Sequence, residues 1–322
     1  MSDITYGIIG CGMMGQEHLR NIALLDGARV GAIYEPSDLM ANAARQLAPE
    51  ARFVGSIAEL LAQEVDCLLV VSPNHLHVSQ LEEIARTRAL PVLMEKPLYT
   101  DPGDAARLAA IDYPALIWVA MEYRYMPPVA TFLNQLEGAT GCPVMLTIRE
   151  HRFPFLPKVG HWNRFNRNTG GTLVEKCCHF FDLMRLALKS DPVRVMASAG
   201  QSVNHLDERY DGETPDIWDN GYVIVDFENG SRAMLELCMF AEGSRYQEEL
   251  SATGPTGKIE VFVPGPGRFW LLRMKVSQAR SKTIQLSYAL CKAHWVAHMV
   301  FCRDPAIVYS PMLHPISMRA VR

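Results

Sequence analysis

At 322 residues the chain is long enough for two domains with separate cores, and its 49% apolar and 20% charged residues exclude a disordered or fibrous protein. A formal net charge of -4 excludes any overall pull toward nucleic acid or acidic membranes, so the expected partner is a small molecule.

The chain opens on "MSDITYGIIG", where no basic region precedes a long apolar one, so no secretory signal is expected. Later apolar runs such as "CLLVV" are far shorter than the roughly 20 residues that cross a bilayer. The 8 cysteines lack the paired spacing of secreted scaffolds, and a reducing cytoplasm is the expected compartment. "ITYGIIG" has strand length, ends in glycine and leads through "GCGMMG" into the amphipathic "QEHLRNIALL", which reads as strand, turn and helix. In that setting Gly10 permits the tight turn, Gly12 lets the backbone approach a pyrophosphate, and Gly15 lets helix and strand pack closely. The helix start, with Cys11, Met13 and Met14 beside these glycines, offers free N–H groups to an anion.

The second strand, "ARVGAIYE", ends at Glu35, 20 residues after Gly15, where this fold presents a carboxylate to the adenosine ribose. A carboxylate there accepts from ribose hydroxyls and repels a 2′-phosphate, which favours NAD over NADP. Strand-like runs at "VDCLLVVSP" and "LPVLMEKP" alternate with helical stretches near residues 37–48, 56–63, 75–88 and 101–110. This alternation predicts an α/β domain with a doubly wound parallel sheet over residues 1–121. "SPNHLH" and "EKPL" fall at the carboxyl ends of two of its strands, the edge where such sheets bind ligands.

These residues, together with "GGTLVEKCCHFFD" from Gly170 to Asp182, resemble the glucose-fructose oxidoreductase and inositol dehydrogenase family from about residue 4 to residue 185. The resemblance implies that Ser72, Pro73, Asn74, His77, Glu95 and Lys96 join the glycine turn and Glu35 in holding the cofactor. It also implies that Lys96 contacts both substrate and nicotinamide, that Glu175 and His179 bind substrate and move its proton, and that the chain forms dimers or tetramers through an open sheet. Many members have aspartate where this chain has Glu175, so the reach of that side chain differs.

After Met121 the alternation stops. A connecting helix at about 123–137 precedes six strand-like segments, from "VMLTIREHR" to "GKIEVFV", with "ENGSRAMLE" as a hairpin signal and one helix at about 175–188. Residues 122–268 therefore read as an α+β domain with a mostly antiparallel open sheet, carrying substrate and catalytic groups. On a helix starting near Thr172, Glu175 and His179 share one face and Cys177 and Cys178 point elsewhere. Adjacent cysteines next to a histidine do not supply the separated pairs that zinc sites use, so no metal is expected. Tyr123 and Arg124 in "YRY", and Trp162, Asn163 and Arg164 in "KVGHWNRFNRN", are stacking and hydrogen-bonding candidates for a sugar ring.

The expected reaction is hydride transfer to NAD from a secondary alcohol of a polyol or sugar, with His179 taking the hydroxyl proton and Lys96 holding the oxygen. The alternative is a non-catalytic sensor of NAD occupancy with the same fold. Residues 269–322 depart from the family pattern: after Glu260 nine Lys or Arg residues face one acid, Asp304. Two readings stand for this segment, a divergent basic surface or residues translated out of frame. Within it Cys291, His294, His298 and Cys302 have helical spacing, but the outer pair would lie about 16 Å apart, too far to share one ion.

Overall fold

The computed structural model describes residues 4–263. The expectations for 269–322, including Cys291, His294, His298 and Cys302, lie outside them.

The first half alternates strand and helix: β1 (Ile4–Ile9), α1 (Met13–Ile22), β2 (Ala28–Tyr34), α2 (Asp38–Leu47), β3 (Arg52–Val54), α3 (Ile57–Leu61), β4 (Cys67–Val70), α4 (His77–Thr87), β5 (Val92–Met94), α5 (Asp104–Ala109) and β6 (Ile117–Val119). All six strands pair in parallel in the order β3-β2-β1-β4-β5-β6. The order reverses between β1 and β4, which opens a crevice at the carboxyl edge. Both faces are covered, as a parallel sheet requires. Leu19 and Ile22 of α1 and Ala44 of α2 pack on one side with Ile8, Ile33 and Leu69, while Leu60 of α3 and Leu81 and Ile84 of α4 pack on the other with Ala32, Leu68 and Val92. The two edge strands β3 and β6 went unread in the sequence, because three residues are too few to show a period.

A 3-10 turn at Glu122–Tyr125 leads into α6 (Pro127–Thr140), whose first turn accepts proline without loss of a hydrogen bond. The second half comprises β7 (Met145–His151), α7 (Asn166–Thr169), α8 (Thr172–Glu175), α9 (Cys178–Leu188), β8 (Pro192–Gly200), β9 (Asn220–Phe227), β10 (Arg232–Cys238), β11 (Glu248–Gly254) and β12 (Gly257–Val263). Its sheet runs β12-β11-β7-β10-β9-β8, antiparallel except where β7 pairs with β10. The β9–β10 hairpin turns at the expected "ENG", with Gly230 at a φ of +82°. Alternating residues Leu146, Ile148, Val223, Val225, Leu235 and Leu250 face α6 and α9. Phe180 of α9 is completely buried there, a burial that contributes about 2–3 kcal/mol.

The helix expected at 175–188 is divided. The Cys177 N–H bonds back five residues to the Thr172 carbonyl, at 3.3 Å, and the wider turn separates α8 from α9. One extra residue in the turn breaks the i, i+4 stacking of Glu175 with His179. Among the described residues, no helix is long and apolar enough to cross a membrane.

Candidate active site

The glycine turn between β1 and α1 is fixed by contact. Gly10 has a φ of +92°, and a Cβ there would lie 2.8 Å from backbone atoms of Val71 and Ser72. A Cβ on Gly15 would lie 2.4 Å from the Gly10 carbonyl oxygen, whereas one on Gly12 would meet nothing within 4 Å. Two glycines are therefore required by packing, and the third leaves the helix start open to a ligand. Gly12 also caps α1 without a side-chain hydrogen bond, which leaves first-turn N–H groups from Met13 and Met14 onward free for an anion. Met13 is exposed at this mouth. The arrangement fits a dinucleotide pyrophosphate. Gly15→Ala should weaken NAD binding and cost about 1–3 kcal/mol of stability, read by NAD titration and denaturant unfolding; unchanged values would mean that the close approach is not needed.

Glu35 is at the end of β2 and grips this loop. Its carboxylate accepts the Cys11 N–H at 2.5 Å and the Ser37 N–H at 2.8 Å. The Cys11 thiol is buried, and burial together with the Glu35 charge pushes it up to about 12, so it stays protonated. After β4, Ser72 donates its hydroxyl to Gln80 at 2.6 Å. Pro73 starts the 3-10 turn Asn74–Leu76, and the buried Asn74 Nδ2 has no partner among the described residues. His77 is fully buried, with Nδ1 2.8 Å from the Pro97 carbonyl and Nε2 3.1 Å from the Ser72 carbonyl. Its ring lies between the ends of β4 and β5, and as a neutral imidazole it donates to one of these two carbonyls.

The loop after β5 is held from beneath. Glu95 is buried, lies 2.9 Å from His18 Nε2 of α1, and accepts the Lys96 N–H at 3.2 Å. Burial opposes the Glu95 charge, but His18 and Lys96 hold its carboxyl below the usual range. His18 went unnoticed in the sequence, although it sits on the apolar stripe of α1 with Gly15, Leu19 and Ile22. A titratable residue on a buried stripe was the available signal.

Lys96 crosses to the second domain and donates from Nζ to the Glu175 carbonyl at 3.1 Å. Burial opposes its charge, and Cys178, Glu175, Glu95 and Glu122 outweigh that and keep the ammonium protonated. Glu175 Oε1 lies 3.5 Å from Lys158 Nζ, while its buried Oε2 has no partner among the described residues. Lys158 sits in the segment "KVGHWNRFNRN" but was not singled out from it. Burial lowers its proton affinity, Glu175 raises it and Lys96 lowers it again, with a net fall. It lies 4.6 Å from the centre of the Trp162 ring, which meets His75 edge-on at 6.3 Å. Trp162 thus joins the second domain to the loop after β4.

His179, in the first turn of α9, is buried and stacks on Tyr123 with ring centres 4.4 Å apart. Burial first, then the charges of Lys96, Lys176 and Arg152, hold its proton affinity well below the usual histidine range, so the ring is neutral at pH 7. Its Nδ1 has no hydrogen-bond partner among the described residues. Glu175 does not pair with it, and Asp182 pairs with Arg124 instead. Arg124 therefore ties the crossing between the domains to α9. Asn163 is buried and donates to the Leu156 carbonyl at 2.9 Å. Arg164, also buried, donates to Glu208 at 3.1 Å. Both support the loop wall. Lys96, Lys158, Glu175 and His179 are the predicted and newly found groups that the fold brings together. Among the described residues, no group of three or more His, Cys, Asp or Glu side chains is placed to hold a metal.

Both halves of the chain are similar to known proteins. Residues 4–112 match the family model "Oxidoreductase family, NAD-binding Rossmann fold", and residues 134–266 match "Oxidoreductase family, C-terminal alpha/beta domain". An inositol 2-dehydrogenase of Leifsonia xyli subsp. xyli is 35% identical over 96% of this chain and 88% of its own. An uncharacterized oxidoreductase of Bacillus subtilis is 26% identical over 72% of this chain, and the match spans 66% of that relative's length. A myo-inositol dehydrogenase structure from Lactobacillus casei, in complex with NAD(H) and myo-inositol, has the same fold: TM-score 0.70, 20% identity, 91% of this chain and 84% of that one. The parallel sheet with its NAD-binding glycine turn, the open second sheet and both family matches together make this chain a member of the Gfo/Idh/MocA oxidoreductase family.

Proposed function

We propose that the protein is an NAD-dependent dehydrogenase acting on a secondary alcohol of a cyclic polyol or sugar. The observation that carries this reading is the Lys96 ammonium of one domain donating to the Glu175 backbone carbonyl of the other at 3.1 Å, within the electrostatic reach of a buried, neutral His179. Bound NAD supplies the acceptor for the hydride. Gly10, Gly12 and Gly15 would seat its pyrophosphate, Glu35 would accept from its ribose hydroxyls, and Asn74 offers an unsatisfied amide donor. Lys96 holds the alcohol oxygen and offsets the negative charge that develops there. His179 takes the hydroxyl proton, a role that suits a neutral imidazole.

The polyol assignment draws on the unpartnered acceptor Glu175 Oε2 beside the Lys158 ammonium, which together suit a ring bearing neighbouring hydroxyls. The named activity of the Leifsonia relative points the same way. The test is a screen of inositols, aldoses and sugar acids for NADH formation by absorbance. Turnover of at least one cyclic polyol or sugar is expected; turnover confined to other alcohols would refute the substrate class. We further infer a homo-oligomer built on the open face of the second sheet, where Met196, Ile224 and Tyr222 lie exposed in neighbouring strands. Light scattering that gave the mass of one chain would remove that inference.

A further inference from the structure

Beneath His179 lies a set of buried charges that the proposed chemistry does not use. Glu150 of β7 and Glu248 of β11 are register partners, so two carboxylates stand directly opposite each other on the inward face of the sheet. Both are buried, at 0% and 2% exposure. Like charges so placed repel, and burial deprives them of the water that would screen them. The wide turn between α8 and α9 sends Lys176 between them, with Nζ 3.0 Å from Glu150 Oε1 and 3.7 Å from Glu248 Oε1. Lys176 also donates to the Tyr123 hydroxyl at 2.5 Å, and that hydroxyl donates to Glu248 at 2.7 Å. Gln247 donates to the same Glu248 oxygen at 2.9 Å, and Arg152 lies 3.6 Å from Glu150. The Tyr123 ring is the surface on which His179 stacks.

We propose that Lys176 is a positioning residue for proton transfer: clamped by Glu150, Glu248 and Tyr123, it holds the aromatic seat of His179 and keeps that imidazole an unprotonated acceptor. The proposal rests on the reading of His179 as the group that takes the substrate proton. The groups whose charges act on His179 come from three elements: Lys96 after β5, Lys176 in the turn before α9, and Arg152 after β7. Lys96 donates to the Glu175 carbonyl, and Arg152 lies against Glu150. Lys176 alone among them also binds the residue that the imidazole rests on. Burial pushes Glu150 up to about 8, Lys176 opposing, Glu248 adding and Arg152 opposing in turn.

The experiment follows the His179 ring by NMR through a pH titration of the ligand-free full chain. Lys176→Gln, and the paired substitution Lys176→Met with Glu150→Gln, remove the charge in two ways. Each should raise the midpoint by about one pH unit, a tenfold gain in proton affinity. Lys176→Arg keeps the charge and should leave the midpoint in place. If the paired variant fails to fold, Lys176→Gln decides. An unmoved midpoint in a folded, charge-free variant overturns the proposal, as does an equal rise in Lys176→Arg, which would indicate packing rather than charge. The turnover of His179→Ala separates this from the reading beneath it. Lost turnover with an unmoved midpoint in the Lys176 variants sinks the Lys176 proposal alone, whereas full turnover sinks both.

Discussion

Lys96→Ala is expected to lower kcat by about 10²–10³-fold, a larger effect than its loss has on NAD affinity. The lysine is the one cation that the first domain sends to the Glu175 carbonyl among the described residues, and its proton is secured by Cys178, Glu175, Glu95 and Glu122 against the cost of burial. In the proposed reaction negative charge grows on the alcohol oxygen as its proton leaves, and a fixed ammonium there acts most strongly in the transition state. The glycine turn and Glu35 lie on other loops, so the pyrophosphate and ribose ends of the seat survive the substitution. Lys96 also joins the two domains, so its loss has a structural component. Thermal unfolding of Lys96→Ala and kinetics of Lys96→Arg separate the two, since arginine keeps the charge but not the point geometry. Wild-type kcat in a folded Lys96→Ala variant would remove the lysine from the chemistry.

His179→Ala is expected to cost about 10²–10⁴-fold in kcat for alcohol oxidation, with NAD binding preserved. The form of its pH dependence follows from the surroundings of the ring. Burial, Lys96, Lys176 and Arg152 all disfavour the imidazolium, so the wild-type acceptor stays competent through the range where an exposed histidine would be half protonated. Oxidation should therefore hold its rate as the pH falls through 6.5 and decline only at more acid values. A decline centred on an ordinary histidine value would show that the acceptor is a different, exposed group.

Stability provides an independent check on the same residue. The unfolded chain binds a proton at this histidine below about 6.5 and the folded chain does not, so the folded state loses about 1.4 kcal/mol per pH unit between the two values. The contribution is complete above 6.5 and fades as the pH drops toward the depressed folded value. His179→Ala lacks that titration, so its stability deficit relative to wild type should narrow on acidification.

Much of this was legible in the sequence because the signals were local. The strand, glycine turn and helix of residues 4–22 need only nearest neighbours, and the 20-residue spacing to Glu35 is a property of one βαβ unit. Lys96, Glu175 and His179 were found through motif resemblance, which carries residue identity but not backbone detail. That is why the wide turn at Lys176 and Cys177 was missed: "VEKCCHFFD" has no glycine or proline to mark it, and the partners Lys176 meets there, Glu150 and Glu248, lie 26 residues before it and 72 after. A faint signal did exist. In "MLTIREH" the inward parity runs Leu146, Ile148, Glu150, so the acid occupies a core position and calls for a buried cation. Lys158 lacked even that, since a lysine in an irregular loop has no period to violate.

The pairing of Arg124 with Asp182 has a mechanical consequence. Arg124 belongs to the crossing between the two sheets and Asp182 to the helix that carries His179, so crossing and imidazole are fastened to each other. In the proposed reaction the imidazole therefore keeps a fixed relation to the crossing segment.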